Sequence, residues 1–191
     1  MQEVSVIIPN FNGMAYLDGV LAGLECQSVN NFEVILVDNG SSDGSCAFVA
    51  ARYPWVHLIE LPENFGFCKA VNEGIKASRA PYVLLLNNDI EVTENFIEEM
   101  IFAIKRHPKA FSCAARMIQF HDRDKLDDAG NYYCALGWAY ARGKGKDIHI
   151  YEKEEKIFAS CAGAAIYRKK IFDKIGYFDE EHFAYFEDMD V

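Results

Sequence analysis

Short apolar runs alternate along this chain with polar turns and amphipathic stretches. Residues 4–8 form a β-branched run closed by Pro9; a turn at Gly13 follows, then apolar positions at Leu17, Leu21 and Leu24. Apolar residues three and four apart share one helix face, so the segment reads as strand, loop, helix. The order repeats. Residues 32–37 predict a second strand, Asp38, Asn39, Gly40, Ser41, Ser42 and Asp43 a turn rich in helix-capping side chains, and residues 46–52 a second helix. Residues 56–61 predict a third strand, Asn64-Phe65-Gly66 a loop, and Ala70, Val71, Gly74 and Ile75 a third helix; residues 82–86 are a fourth, wholly apolar strand.

Continuously apolar strands separated by helices imply an α/β fold, with a mostly parallel sheet covered by helices on both faces. Such sheets bind ligands beyond the carboxyl ends of their strands. Three polar clusters fall there: residues 9–12, 38–43 and 87–89. Farther along, Thr93 is a candidate N-cap for an amphipathic, core-facing helix through Phe96, Ile97, Met100, Ile101 and Ile104, ending near Pro108. Residues 110–120 and 132–141 are strand-like, and the charged, glycine-bearing stretch 142–156 reads as a mobile loop. With 191 residues and no internal repeat, one domain is expected over residues 1–191.

Charge narrows the choice of ligand. Asp and Glu outnumber Lys and Arg by 29 to 19, for a formal charge of −10. Such a surface repels polyanions, so nucleic acid is not an expected partner. A phosphorylated ligand would need a cation or backbone N–H groups to offset its charge. Six scattered cysteines form neither a Cys-x-x-Cys pair nor zinc spacing, which fits free thiols in a reducing compartment. The first residues carry no basic n-region, and no stretch reaches the ~18 apolar residues of a membrane helix. A cytoplasmic location is expected, with peripheral attachment at the inner face of the membrane left open.

The chemistry concentrates at Leu86-Asn87-Asn88-Asp89, where an apolar strand ends in two amides and a carboxylate. Asp89 is a hard oxygen ligand suited to Mg²⁺ or Mn²⁺, and Asn88 can hydrogen-bond ribose or phosphate; a turn with Asx caps has the same composition. Four segments in order, Val6-Ile7-Ile8-Pro9-Asn10-Phe11-Asn12-Gly13, Val37-Asp38-Asn39-Gly40-Ser41-Ser42-Asp43-Gly44, Asn64-Phe65-Gly66-Phe67 and Leu86-Asn87-Asn88-Asp89, are more specific than any one. Together they resemble the family 2 glycosyltransferases of the GT-A (Rossmann-like) fold, especially the rhamnosyltransferase-type branch.

The resemblance implies a nucleotide-binding half over about residues 1–92 and an acceptor-side half over about 93–191. Pro9, Asn10 and Asn12 would lie against the nucleoside, and Asp38 would accept a hydrogen bond from its base. Asp38 as a receiver-type phosphoacceptor is the other reading, with no matching acidic pair or basic residue to support it. Asn64, Gly66, Lys69 and Asn72 would border the donor, although Lys69 reads equally well as a solvated helix lysine. Asn87-Asn88-Asp89 takes the place of the family's Asp-x-Asp motif, making Asp89 the metal ligand and Mg²⁺ or Mn²⁺ the cofactor. Partners would be a UDP- or dTDP-linked sugar and a glycan or lipid-linked acceptor.

Gly163-Ala164-Ala165 would lie near the donor sugar. The stretch Phe183-Ala184-Tyr185-Phe186-Glu187-Asp188-Met189-Asp190 would supply the catalytic base, with Asp188 at the base position and Glu187 beside it. Inverting transfer needs one carboxylate to take the acceptor's proton, whereas a retaining glycosidase needs two as acid and nucleophile. An acidic helix start explains the same residues structurally. Asp122, Asp124, Asp127, Asp128 and His121 read as a solvated loop or, less simply, a metal site. Tyr132, Tyr133, Trp138 and Tyr140 suit sugar stacking or strand packing equally. Members of the family usually continue with a helix and a histidine past the point where this sequence stops, which implies a chain incomplete at its C-terminus. A non-catalytic sugar-nucleotide-binding module is therefore the main alternative. A nucleotidyltransferase ranks lower, because residues 9–13 lack the basic residue a triphosphate loop would carry.

Overall fold

The computed structural model describes residues 2–185 and 187–191; Met1 and Phe186 lie outside the described residues. Strands β1 (Val4–Asn10), β2 (Phe32–Asn39), β3 (His57–Leu61) and β4 (Tyr82–Leu86) alternate with helices α1 (Met14–Glu25), α2 (Ser45–Arg52) and α3 (Phe67–Ala77), followed by α4 (Phe96–Arg106). Short strands β5 (Ser112–Ala114), β6 (Met117–Ile118), β7 (Leu126–Asp128), β8 (Asn131–Tyr133) and β9 (Ala139–Ala141) come next. Then come β10 (Ala164–Arg168), α5 (Lys169–Ile175) and, after a 3-10 turn at Glu180–His182, α6 (Glu187–Asp190).

Six strands form one sheet in the order β3-β2-β1-β4-β10-β5. The first four are parallel, as the apolar pattern requires, while β10 runs antiparallel between β4 and β5. Side chains alternate between two cores, as the two-residue period of a strand dictates. Val6, Ile8, Leu84 and Leu86 face Leu17, Leu21, Ile97 and Ile104 on one side. Ile7, Val83 and Leu85 face Val71, Ile75 and Phe172 on the other.

The sequence reading assigns no strand to β10. Its five residues Ala-Ala-Ile-Tyr-Arg carry no turn signal or alternation, and its position follows from tertiary pairing. Arg168 anchors it by donating to the carbonyls of Ile104, His107 and Ala110 at and beyond the end of α4. This gives those groups the cationic partner that a helix C-terminus favours.

The stretch expected to be a mobile loop is pinned instead. Leu126 N–H donates to Lys146 O, Gly145 N–H to Leu126 O, and Ile148 N–H to Asp124 O. Arg142 is buried, pairs with Glu155 and stacks on Tyr151, 4.0 Å from its ring centre. Charge and glycines predict mobility for the stretch, but this guanidinium serves packing.

Helix α3 lies so close to the sheet that a Cβ on Gly74 would stand 2.3 Å from Ile7 Cγ2 and 3.3 Å from Val37 Cγ2. Gly74→Ala should therefore destabilise the fold by about 1–3 kcal/mol despite the better helix propensity of alanine. Urea denaturation measures this, and an unchanged or raised midpoint would contradict the close packing.

Candidate active site

The carboxyl ends of β1, β2 and β4 converge on a cleft of about 260 Å³. Pro9, Asn10, Asn64, Gly66, Asn88 and Asp89 all line it, joined by Asn39, Asn87 and Phe183. The sequence reading gives neither Asn39 nor Asn87 a ligand role; both sit at strand ends, the signal that finds them. A second cleft of equal volume opens by Leu24, Gln27, Val29 and Trp55, near the start of β2, away from this convergence.

A chain of amides builds the floor. Asn10 Nδ2 donates to Asp38 Oδ1 at 2.8 Å, and Asn88 Nδ2 donates to Asn10 Oδ1 at 2.7 Å. Asn10 is thereby locked with its oxygen toward β4 and its nitrogen toward β2. Only a residue without a Cβ fits beside this bridge: a methyl on Gly13 would lie 2.1 Å from Asn88 Nδ2 and 2.3 Å from Asn10 Oδ1.

The loops are fastened in the same way. Asn12 takes a positive φ of 51° and accepts from Ser42 N–H, while its own N–H donates to Ser41 Oγ. Asn39 donates to Asn64 Oδ1 and Gly66 O and accepts from Phe65 N–H. Asp43 receives the Met14 and Ser45 N–H groups at the starts of α1 and α2. The Ser45 hydroxyl, above all, holds its carboxyl below the usual value.

Three expected donor-side residues already have partners within the chain. Asp38 is only 2% exposed; its oxygens accept from Asn10 and the Ser41 N–H, and burial followed by Asp38 itself pushes the Cys46 thiol up to about 12. Its carboxylate orients the Asn10 amide. Lys69 is absent from the cleft lining and pairs with Glu73 at 3.0 Å and Glu180 at 3.5 Å. Asn72, also expected at the donor, clasps the Phe178 backbone through both ends of its amide. Asp89 is exposed at the cleft mouth, and among the described residues no ion pair occupies it. A free carboxylate beside two amide side chains is a hard oxygen donor set that fits Mg²⁺ or Mn²⁺.

Antiparallel pairing of β10 with β4 brings the C-terminal acids to this edge. Asn87 N–H donates to Gly163 O at 2.9 Å, and the backbone of the neighbouring Ala162 lies close enough to the Asp188 carboxylate to lower its proton affinity. Asp188 also accepts from Asn131 Nδ2 at 3.0 Å. Burial first, then the Glu187 charge, raise its carboxyl to about 6. Glu187 is itself buried, and its Oε2 has no hydrogen-bond partner among the described residues. Phe186, quoted in the same motif, lies outside the described residues.

Two readings of the second half change. Asp128, grouped with a solvated loop, is buried and raised above its usual value by that burial. The aromatic hairpin is not packed under other elements: Trp138 is 74% exposed, Tyr133 and Tyr140 are at least half exposed, and Tyr133 stacks on Phe158. Phe183 closes the cleft from the C-terminal side, its carbonyl accepting from Phe67 N–H at 2.6 Å. Gly66, at φ 88°, leaves room for it: a Cβ there would lie 2.6 Å from Phe183 O.

Comparison with known proteins agrees with this geometry. The chain is 26% identical to an N-acetylglucosaminyl-diphospho-decaprenol L-rhamnosyltransferase of Mycobacterium tuberculosis, over 97% of this chain and 68% of that protein. It superposes on S. aureus TarS 1-349 in complex with UDP at a TM-score of 0.71 and 22% identity, covering 98% of this chain and 53% of that one. A mannosyltransferase, PcManGT from Pyrobaculum calidifontis in complex with GDP-Man and Mn2+, matches at a TM-score of 0.68 and 15% identity, over 95% of this chain and 49% of that one. The chain thus spans about half the length of these structural relatives, and it has their GT-A fold. The profile of Glycosyl transferase family 2 matches residues 5–176, from the first strand to the end of α5, and the chain belongs to that family.

Proposed function

We propose that this domain binds a UDP- or dTDP-linked sugar with a divalent cation and transfers the sugar, with inversion, to a hydroxyl of a glycan or lipid-linked acceptor. The observation that carries the reading is the meeting, at one sheet edge, of an exposed carboxylate among amides with a half-buried carboxylate raised to about 6. Residues of about 1–92 hold the donor and those of about 93–191 serve the acceptor. Pro9, Asn10 and Asn12 contact the nucleoside, with Asp38 fixing Asn10; Asn64, Gly66 and Asn88 border ribose and phosphates.

Asp89 would hold Mg²⁺ or Mn²⁺, which when bound acts as a Lewis acid on the departing diphosphate. A local cation also lets a protein of charge −10 accept a dianion. Asp188 takes the proton of the acceptor hydroxyl; a base of about 6 is ionised at neutral pH yet retains proton affinity. UDP in the TarS complex and the lipid-linked substrate in the rhamnosyltransferase's name support the donor and acceptor classes. Among the described residues no helix is long and apolar enough to cross a membrane. A lipid-linked acceptor would be met at the inner face of a cytoplasmic membrane.

Calorimetric titration with UDP and dTDP should show binding that needs Mn²⁺ and weakens about tenfold or more in Asp89→Ala. Binding of neither nucleotide, or equal binding without metal, would overturn the donor site. This titration also tests the non-catalytic alternative when paired with nucleotide release, because such a module binds without turnover.

Nucleotide release in the presence of acceptor should rise with pH through a midpoint near 6, as Asp188 loses its proton. The folded carboxyl ionises at about 6 and the unfolded one near 3.8, so the ionised form is disfavoured in the fold and its penalty appears as pH rises between those values. Asp188→Asn should therefore abolish release yet raise Tm at pH 7.5 by about 2–4 °C. Retained release, or a fall in Tm, would contradict the assignment.

A further inference from the structure

The segment Asp128-Ala129-Gly130-Asn131 is a built turn at the end of β7. The Asp128 carboxylate accepts from Gly130 N–H at 2.6 Å. Gly130 sits at φ 107°, and a Cβ there would lie 2.5 Å from Ile157 Cγ2, so any other residue meets both backbone strain and a clash. Asn131 follows at once and is gripped on both edges. It pairs with Ala141 in the β8–β9 hairpin, while its N–H and C=O bond the Ala159 backbone at 2.9 and 3.2 Å. A residue held so firmly along its backbone has a fixed side-chain direction, and that direction brings Nδ2 to 3.0 Å from Asp188 Oδ2.

We propose that Asn131 is a positioning residue for the Asp188 base, fixing the rotation of its carboxylate so that a lone pair faces the acceptor hydroxyl. The inference rests on the reading of Asp188 as that base. An amide suits the task better than a cation. It gives direction through one N–H, whereas a neighbouring Lys or Arg would draw the carboxyl well down and weaken it as a proton acceptor.

The groups facing Asp188 are Glu187 on its own helix, Asp128 from β7, the Cys161 thiol before β10 and the Tyr167 hydroxyl on β10. None is a cation, and Asn131 Nδ2 is the side-chain donor that bonds its carboxylate among the described residues. Asn131 is the side chain whose loss would free the carboxylate to turn.

The test uses Asn131→Ala, which removes the donor, and the isosteric Asn131→Asp, which keeps the shape but replaces the donor with a second carboxylate. Carboxyl ¹³C NMR follows the Asp188 titration, and release of UDP or dTDP from the sugar nucleotide that calorimetry selects gives kcat and KM. Loss of the bond should move the Asp188 midpoint upward by up to about one unit, further in Asn131→Asp than in Asn131→Ala. It should lower kcat by about 10–100-fold with donor KM unchanged. If Asn131→Ala does not fold, the isosteric variant alone decides.

An Asp188 midpoint and a kcat that both stay within twofold of the parent would overturn the positioning role. Asp188→Asn separates the two failures. An active Asp188→Asn removes the base reading and this inference with it, whereas an inactive Asp188→Asn beside unaffected Asn131 variants removes this inference alone.

Discussion

The site depends on one strand pairing. Because β10 runs antiparallel to β4, its first residue lies opposite the last residue of β4, Ala164 against Leu86. In a purely parallel sheet the same residues would lie at opposite ends of the domain. Here the pairing brings Gly163 beside Asn87 and Ala162 beside Asp188, so the strand that ends in the candidate metal ligand and the segment that carries the candidate base share an edge. Arg168 secures the far end of β10 under α4 and fixes the register of the whole arrangement.

Electrostatics then divides the labour between carboxylates. Asp89 faces solvent and is available to a cation; Asp188 is half-buried beside Glu187 and keeps its proton to about 6. The difference comes from environment alone, which is how acid–base roles are separated in general. Asp38 illustrates a third use: buried and bonded on both oxygens, it lends its charge to orienting the Asn10 amide.

The first half of the fold was legible because local and global signals agree there. Each apolar run is bounded by turn residues, and each helix repeats at three and four positions. Gly13 and Gly66 could be seen as turn residues, but not as the clearances that admit the Asn10–Asn88 bridge and Phe183; those depend on residues distant in sequence. In the second half the signals separate. Charge made Asp128 look solvated and the stretch from Arg142 look mobile although both residues are buried, and aromatic content left the exposed β8–β9 hairpin open to either reading. Asn131 carried no sequence signal beyond following a glycine; its meaning appears only when β8 is paired on both sides.

The central claim is that a nucleoside diphosphate and a divalent cation sit at the ends of β1, β2 and β4, with Asp188 across the sugar from the leaving group. The most direct test is a crystal structure with UDP or dTDP and Mn²⁺ bound. The account predicts Mn²⁺ on the Asp89 carboxylate and the diphosphate, the nucleoside along Pro9–Asn12, and Asp188 open to the space beyond the terminal phosphate. A nucleotide bound at another face, or a metal held away from Asp89, would contradict it.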